Sequence, residues 1–381
     1  MDIGSIIGGV SGFVLGTIVP FMFVLMLVVF VHELGHLLVG RWCGIHAKAF
    51  AVGFGPELLG YTDRRGTRWK LCAIPLGGYV RYLGDLNVAS QPEGREVLAR
   101  MAPEDRKRSF PAAALWKRAA AVAAGPAFNF VFAILIFATT FMFLGREQID
   151  PVVTEVSAGS AAEAAGFVPG DRLLTANGDE IESFNALQRY VQPRGGQAIV
   201  FEVERGGERV ALEATPVRTE REDRFGNKLT IGILGVRADR TEDSVTLERF
   251  GPLSAIALGI EETGFVIART GGYLAGVVMG REKADQIGGP IRVAQVSQQV
   301  ATLGFGPLLN LAAILSISIG LLNLLPIPIL DGGHLLFYAF EAIRGRPMSA
   351  NAQEAGFKVG LFLILSLMVF ATWNDISAWI G

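Results

Sequence analysis

The sequence predicts a polytopic α-helical membrane protein with four transmembrane helices, a membrane-associated β-hairpin between the first two, and an inserted α+β domain between the second and third. Three observations lead there. Of 381 residues, 51% are hydrophobic and only 18% charged, with a mean hydropathy of +0.41, a balance too apolar for an ordinary soluble protein. Apolar runs within 1–44, 119–145, 306–333 and 356–380 are each long enough to cross a bilayer. Between the second and third lies a polar stretch, 146–305, with 17 Lys/Arg and 23 Asp/Glu. A net charge of −2 excludes a nucleic-acid partner. Two cysteines, Cys43 and Cys72, are too few for a disulfide framework or a thiolate zinc site.

The first segment, 1–44, is a span with no charge over residues 3–31, where Pro20 starts or kinks the helix. It lacks the basic start of a cleaved signal peptide and is too long for one. Inside it stands His32-Glu33-Leu34-Gly35-His36. On a helix His32 and His36 lie one turn apart on one face, so both imidazoles can reach one metal ion, with Glu33 placed to act on water. On a soluble helix this spacing is often two surface histidines. Within an apolar span that reading fails, because each ionisable group there costs about 2.5–3.5 kcal/mol and marks function by default. Arg41 follows His36 after four uncharged residues, which sets the histidines roughly 8–14 Å below the membrane edge.

Residues 45–118 form a basic loop, with 14 Lys/Arg against 7 Asp/Glu in 41–118. Within it Thr67–Leu83 reads as two short strands turning at Pro75-Leu76-Gly77-Gly78, either an amphipathic hairpin on the surface or one dipping toward the metal site. Charged and then Ala-rich residues 93–118 end in Lys117-Arg118, a membrane entrance. The second span, 119–145, opens on Gly125-Pro126 and carries Asn129, whose amide either bonds another helix or helps hold substrate.

In 146–237, strand Val152–Val156, helix Ala161–Ala165, Asn177-Gly178, helix Phe184–Val191 and strands Ala198–Glu204 and Arg209–Ala214 around Gly206-Gly207 follow in order. With Ala165-Gly166-Phe167 and Pro169-Gly170-Asp171, this order resembles a PDZ domain of the bacterial protease type, which implies peptide binding by strand addition. A small α+β domain without a peptide ligand is the alternative. Residues 238–305 hold Leu253–Ile267 and Gly271–Met279, read as membrane-surface helices. The third span, 306–333, ends in Asn323-Leu-Leu-Pro326-Ile-Pro328-Ile-Leu-Asp331-Gly-Gly-His334, where two prolines break the helix, which membranes tolerate only around a protein-lined or watery cavity. Residues 334–381 are a short loop and the fourth span.

Three crossings return the chain to the side on which the first span ends, so Asp331 lies at the depth of His32 and His36. Two imidazoles and a carboxylate, with a fourth position left for water, are the ligands of a catalytic zinc site. His334, nearly a turn beyond the Pro/Gly break, is the rival ligand. The basic loop makes that face cytoplasmic and puts the acidic insert outside.

HELGH, the Pro75–Val80 segment PLGGYV, the Ala123–Phe130 segment AAGPAFNF, the PDZ-like insert and NLLPIPILDGGH together resemble the site-2-type intramembrane zinc metalloproteases, closest to the bacterial, sigma-E-regulating members. The resemblance covers nearly the whole chain. It implies one Zn2+ held by His32, His36 and Asp331, with Glu33 as catalytic acid/base. It also implies substrate contacts at Asn323, Pro326 and Pro328 and at a membrane-re-entrant strand containing Gly77, Gly78 and Tyr79. Its substrates are transmembrane segments of single-span proteins such as anti-sigma factors already cut outside, and its setting is the bacterial inner membrane. Two departures stand out: one PDZ-like domain where the best-known members carry two, and Ser318 where a further amide sometimes stands. The rival class is a non-hydrolytic membrane metal-binding or PDZ scaffold protein, which would be expected to have lost Glu33.

Overall fold

The first long helix, α1 (Val19–Trp42), grows from the uncharged run around Pro20, after one π-helical turn at Val14–Ile18. Proline in a first turn removes a donor that has no helical partner there. The helix closes on Gly44, φ +82°. Ile45 N–H donates to Gly40 O and Gly44 N–H to Arg41 O, the paired closure a left-handed glycine permits. The computed structural model describes residues 14–84, 101–222, 228–239, 241, 244–284 and 287–380. The start of the expected first segment and the charged stretch 93–100 lie outside these.

β1 (Ala47–Thr62) and β2 (Arg68–Tyr82) pair antiparallel. Both bend: Val52 lies opposite Gly78 and also opposite Leu71, while Leu59 lies opposite Leu71 and Thr62 opposite Arg68. The hairpin therefore turns at 63–67, and not at Pro75–Gly78 as its composition suggests. The reason is the chemistry of Asp63. Its carboxylate accepts from the backbone N–H of Arg65 and Thr67, from Trp69 Nε1 at 3.0 Å and from the Arg41 guanidinium, and Gly66 takes φ +83°. Burial alone would raise the Asp63 pKa, but these donors outweigh it and hold the carboxyl well below the usual range. The Gly77-Gly78 pair instead lies within β2, with Gly77 at φ +122°, where the strand changes its stretch of partner.

After α2 (Pro103–Lys107), helix α3 (Leu115–Phe143) carries Pro126 in its interior. It crosses α1 closely: a Cβ on Gly35 would lie 2.4 Å from Ala124 O, and one on Gly125 2.4 Å from His36 Nε2. Glycine at both positions is what lets the backbones approach. The chain divides into two compact units, Met1–Ala138 with Ile256–Gly381, and Thr139–Ala255.

The second unit contains β3 (Arg146–Ile149), β4 (Glu155–Val156), α4 (Ala161–Ala165), β5 (Arg172–Ala176), β6 (Asp179–Glu180), α5 (Phe184–Val191), β7 (Ile199–Arg205), β8 (Glu208–Ala214), β9 (Val217–Glu222), β10 (Lys228–Ile233), β11 (Val236–Arg237) and β12 (Val245–Glu248). Its main sheet has the order β6-β5-β7-β8. Ile199, Phe201 and Val203 alternate inward with Leu173 and Leu187 to make its core. Ser160 accepts from Glu163 N–H while Glu163 accepts from Gly159 N–H, a reciprocal cap that starts α4. Gly206 and Gly207, both with positive φ, turn β7 into β8. Asp171, wholly buried, pairs with Arg205 at 2.7 Å, and despite burial the guanidinium and the Val168 N–H keep its pKa down.

The expected pair of surface helices is one continuous helix, α6 (Pro252–Val278), followed by α7 (Pro290–Thr302). Gly271 and Gly272 do not interrupt it, because Pro is what forbids helix and glycine only weakens it. α8 (Phe305–Asn323) is shorter than the expected third span. Pro326 and Pro328 cannot donate, so 324–330 is non-helical, and Ile329 is held at φ +98°. Asp331 then opens a new helix, α9 (Asp331–Arg344), in place of the expected short loop. α10 (Ala350–Ile380) completes the chain. Among the described residues four helical stretches are long and apolar enough to cross a membrane: Gly16–Trp42, Leu115–Phe143, Phe305–Asn323 and Asn351–Ser377.

Candidate metal centre

The two histidines of α1 and the first residue of α9 converge. His32 Nε2 lies 3.2 Å from Asp331 Oδ2, His36 Nε2 3.5 Å from the same oxygen, and the two Nε2 atoms are 3.2 Å apart. All three ligand atoms fall within 4.8 Å of one another. Helical spacing accounts for the first pair, and the proline break for the third member: by ending α8 at Asn323 it lets Asp331 enter at a helix start. Gly332 and Gly333 make that possible, since a Cβ on either would lie 2.3 Å from a carbonyl of Leu324, Leu325 or Ile327. From the far side α10 supports the same segment. A Cβ on Gly360 would lie 1.6 Å from Pro328 O, and one on Gly356 3.0 Å from the Phe337 ring.

The site passes a chemical test as a cation site. His36 Nδ1 donates to Ala121 O at 2.9 Å, which leaves Nε2 of the neutral ring as a lone pair. It faces a carboxylate oxygen and the Nε2 of His32; with that nitrogen also unprotonated, the three are acceptors that only a positive charge between them would hold together. Asp331 Oδ2 is buried and makes no ordinary hydrogen bond, which a cation would also satisfy.

Glu33 is buried beside this group. The Val80 backbone N–H donates to its carboxylate, and a Cβ on Gly78 would lie 2.8 Å from Glu33 Cγ. The structure thus brings Gly78 together with His32, Glu33, His36 and Asp331. Tyr79 pairs with Ala51 and stacks on Phe54 at 6.2 Å between centroids; Gly77 backs onto the same Phe54 ring. Asn129 is wholly buried with its amide 3.2 Å from His32 Nδ1, so it faces a histidine and offers no open surface to a peptide. Asn323 donates to Ile319 O of its own helix, Pro326 is exposed and Pro328 lies against Gly360. His334 stands outside the three-residue group, its ring 5.5 Å from Phe357. Sequence reasoning missed Gly125, Gly360 and the Ala121 carbonyl, which show no pattern of their own; only the proline after Gly125 could have drawn attention to it.

A buried HExxH helix joined to a distant aspartate defines a metallopeptidase class of site, and comparison with known proteins agrees. The description of peptidase family M50 matches residues 20–367. A protein of Agrobacterium fabrum named as a zinc metalloprotease is 56% identical over 371 residues, 97% of this chain and 98% of its own length. One of Rhizobium meliloti with the same kind of name is 52% identical over 95% of this chain and 96% of its own. The metalloprotease MmpA of Caulobacter vibrioides is 42% identical over 94% and 95%. The chain belongs to peptidase family M50. It is accordingly a membrane-embedded, zinc-dependent metalloprotease.

Proposed function

We propose that this protease cleaves peptide bonds within transmembrane segments of single-span proteins, at a zinc site formed by His32, His36 and Asp331. The observation that carries the reading is the convergence of His32 Nε2 and His36 Nε2, on a helix apolar enough for a membrane, with Asp331 Oδ2 at the start of α9, and with Glu33 buried alongside. Zinc supplies Lewis acidity there, lowering the pKa of water and polarising a carbonyl. Glu33 takes the proton from the attacking water at its carboxylate and returns it to the leaving amine. The Val80 N–H keeps that carboxylate aimed.

A transmembrane helix hides its carbonyls in its own hydrogen bonds, so a substrate must unwind before it is cut. β2 offers a replacement. Leu83 N–H bonds to His46 O, and by the alternation of a strand Gly78 and Val80 then point their backbone groups away from β1, toward Glu33. An extended substrate segment would add to this edge, with Gly77, Gly78 and Tyr79 as its seat and the Asn323–Pro328 segment opposite. On this reading the β1–β2 hairpin is membrane-associated, the site opens near the cytoplasmic face of a bacterial inner membrane, and the second unit is a PDZ-type domain on the outer side that meets trimmed substrate ends. Anti-sigma factors already cut outside fit that description of a substrate.

Glu33→Gln should leave zinc bound and lower cleavage of a tagged single-span substrate at least 100-fold, the scale of general acid–base catalysis at roughly 10²–10⁴. Cleavage at the parent rate would end the assignment. His32→Ala and Asp331→Ala should each lose zinc in metal analysis of the purified protein.

A further inference from the structure

The two histidines differ in what holds their outer nitrogen. His36 Nδ1 is held by a backbone carbonyl, Ala121 O. His32 Nδ1 faces a side chain, the amide of Asn129 on α3, with Nδ2 at 3.2 Å. The Asn129 side chain is wholly buried, and its Oδ1 has no hydrogen-bond partner. An amide's oxygen and nitrogen exchange places by a half-turn about its last bond, and which way it points is settled by the hydrogen bonds it makes.

We propose that Asn129 is the positioning residue for His32, its amide turning so that Oδ1 accepts the Nδ1 proton and Nε2 is left as a lone pair for the metal. The inference rests on the reading of His32 as a ligand. With Nδ2 toward the ring, Asn129 donates to Nδ1, and the ring proton sits on Nε2, the nitrogen 3.2 Å from Asp331 Oδ2 that a metal would need. With Oδ1 toward the ring, the proton moves to Nδ1 and Nε2 can bind a cation. A carboxamide therefore serves the site in both states, where a backbone carbonyl serves only one. One packing bond is independent of the side chain: Ser316 Oγ donates to the Asn129 backbone oxygen at 3.0 Å, so substitution leaves that bond between α8 and α3 in place.

The test is zinc affinity of the purified full chain, by competition with a chromophoric chelator, so that cleavage need not be measured. Asn129→Leu, close in size and unable to accept, should weaken zinc binding about 10- to 100-fold, the effect of losing an outer-shell partner. Asn129→Asp, which accepts at Nδ1 in either orientation, should bind at least as tightly as the parent. Should Asn129→Leu fail to fold, Asn129→Ala replaces it with the same expectation. If the Leu or Ala variant binds zinc within threefold of the parent while His32→Ala has lost it, this proposal fails and the ligand set stands. If His32→Ala also keeps its zinc, the ligand set fails and the proposal with it.

Discussion

Single atoms decide this site. Gly125 faces both imidazoles, and a methyl group there would sit 2.4 Å from His36 Nε2 and 2.8 Å from His32 Cε1. Gly125→Ala should therefore push the rings off the position that Ala121 and Asn129 give them. The expected outcome is zinc affinity at least tenfold lower with the helical circular dichroism of the parent, since alanine is the better helix former. Unchanged affinity would show that α1 can slide away from α3. The histidine pair and Glu33 were legible as a candidate site from helical spacing together with the uncharged run that carries them. The neighbours that orient them were not, because a backbone carbonyl and a glycine leave no chemical mark in a sequence.

At the scale of elements, the segment between α8 and α9 is held by its contacts. Ile329 keeps a positive φ, costly for a β-branched residue, while Gly360 admits Pro328 O at a distance no Cβ allows. Gly360→Ala should displace Pro328 and with it Asp331, lowering zinc content. Gly356→Ala, whose Cβ would press on the Phe337 ring at 3.0 Å and touch the Pro328 ring at an ordinary 3.5 Å, should have the smaller effect. Metal analysis of the two proteins side by side checks the order. The β1–β2 turn carries its own pH dependence. Because the Asp63 carboxyl is held below its ordinary range, its stabilisation is present at and above that range and fades as pH falls through the folded value. Asp63 is partly exposed, so its contribution is discounted to on the order of 1 kcal/mol. Asp63→Asn should speed amide exchange of residues 62–68 roughly fivefold at neutral pH, and the difference from the parent should vanish in acid. The turn was misplaced from sequence because Pro-Leu-Gly-Gly carries stronger turn composition than Asp-Arg-Arg-Gly, and only the ladder with β1 decides between them.

For the molecule as a whole, the inserted unit closes on itself. β12 pairs with β3, Glu248 opposite Arg146 and Val245 opposite Ile149, so the ends of the insert meet inside its own sheet system. A fragment spanning 146–249 should then fold alone and unfold cooperatively in denaturant, as a domain with adjacent termini and its own core does. A fragment lacking cooperative unfolding would show that it depends on the rest of the chain. The unit's two helices and its β7–β8 hairpin were readable because caps, glycine turns and alternation are local, whereas β5 and β9–β12 were not.

By itself the sequence determined the membrane class, the HExxH helix, the two helices and the β7–β8 hairpin of the small domain, and the break at Pro326 and Pro328, since each follows from local periodicity, charge or a missing donor. Tertiary structure alone decided where the hairpin turns, that Asp331 begins a helix instead of ending one, and which groups grip the outer nitrogens of the two histidines. Those outcomes depend on contacts between residues tens to hundreds of positions apart, and no local pattern records such a contact.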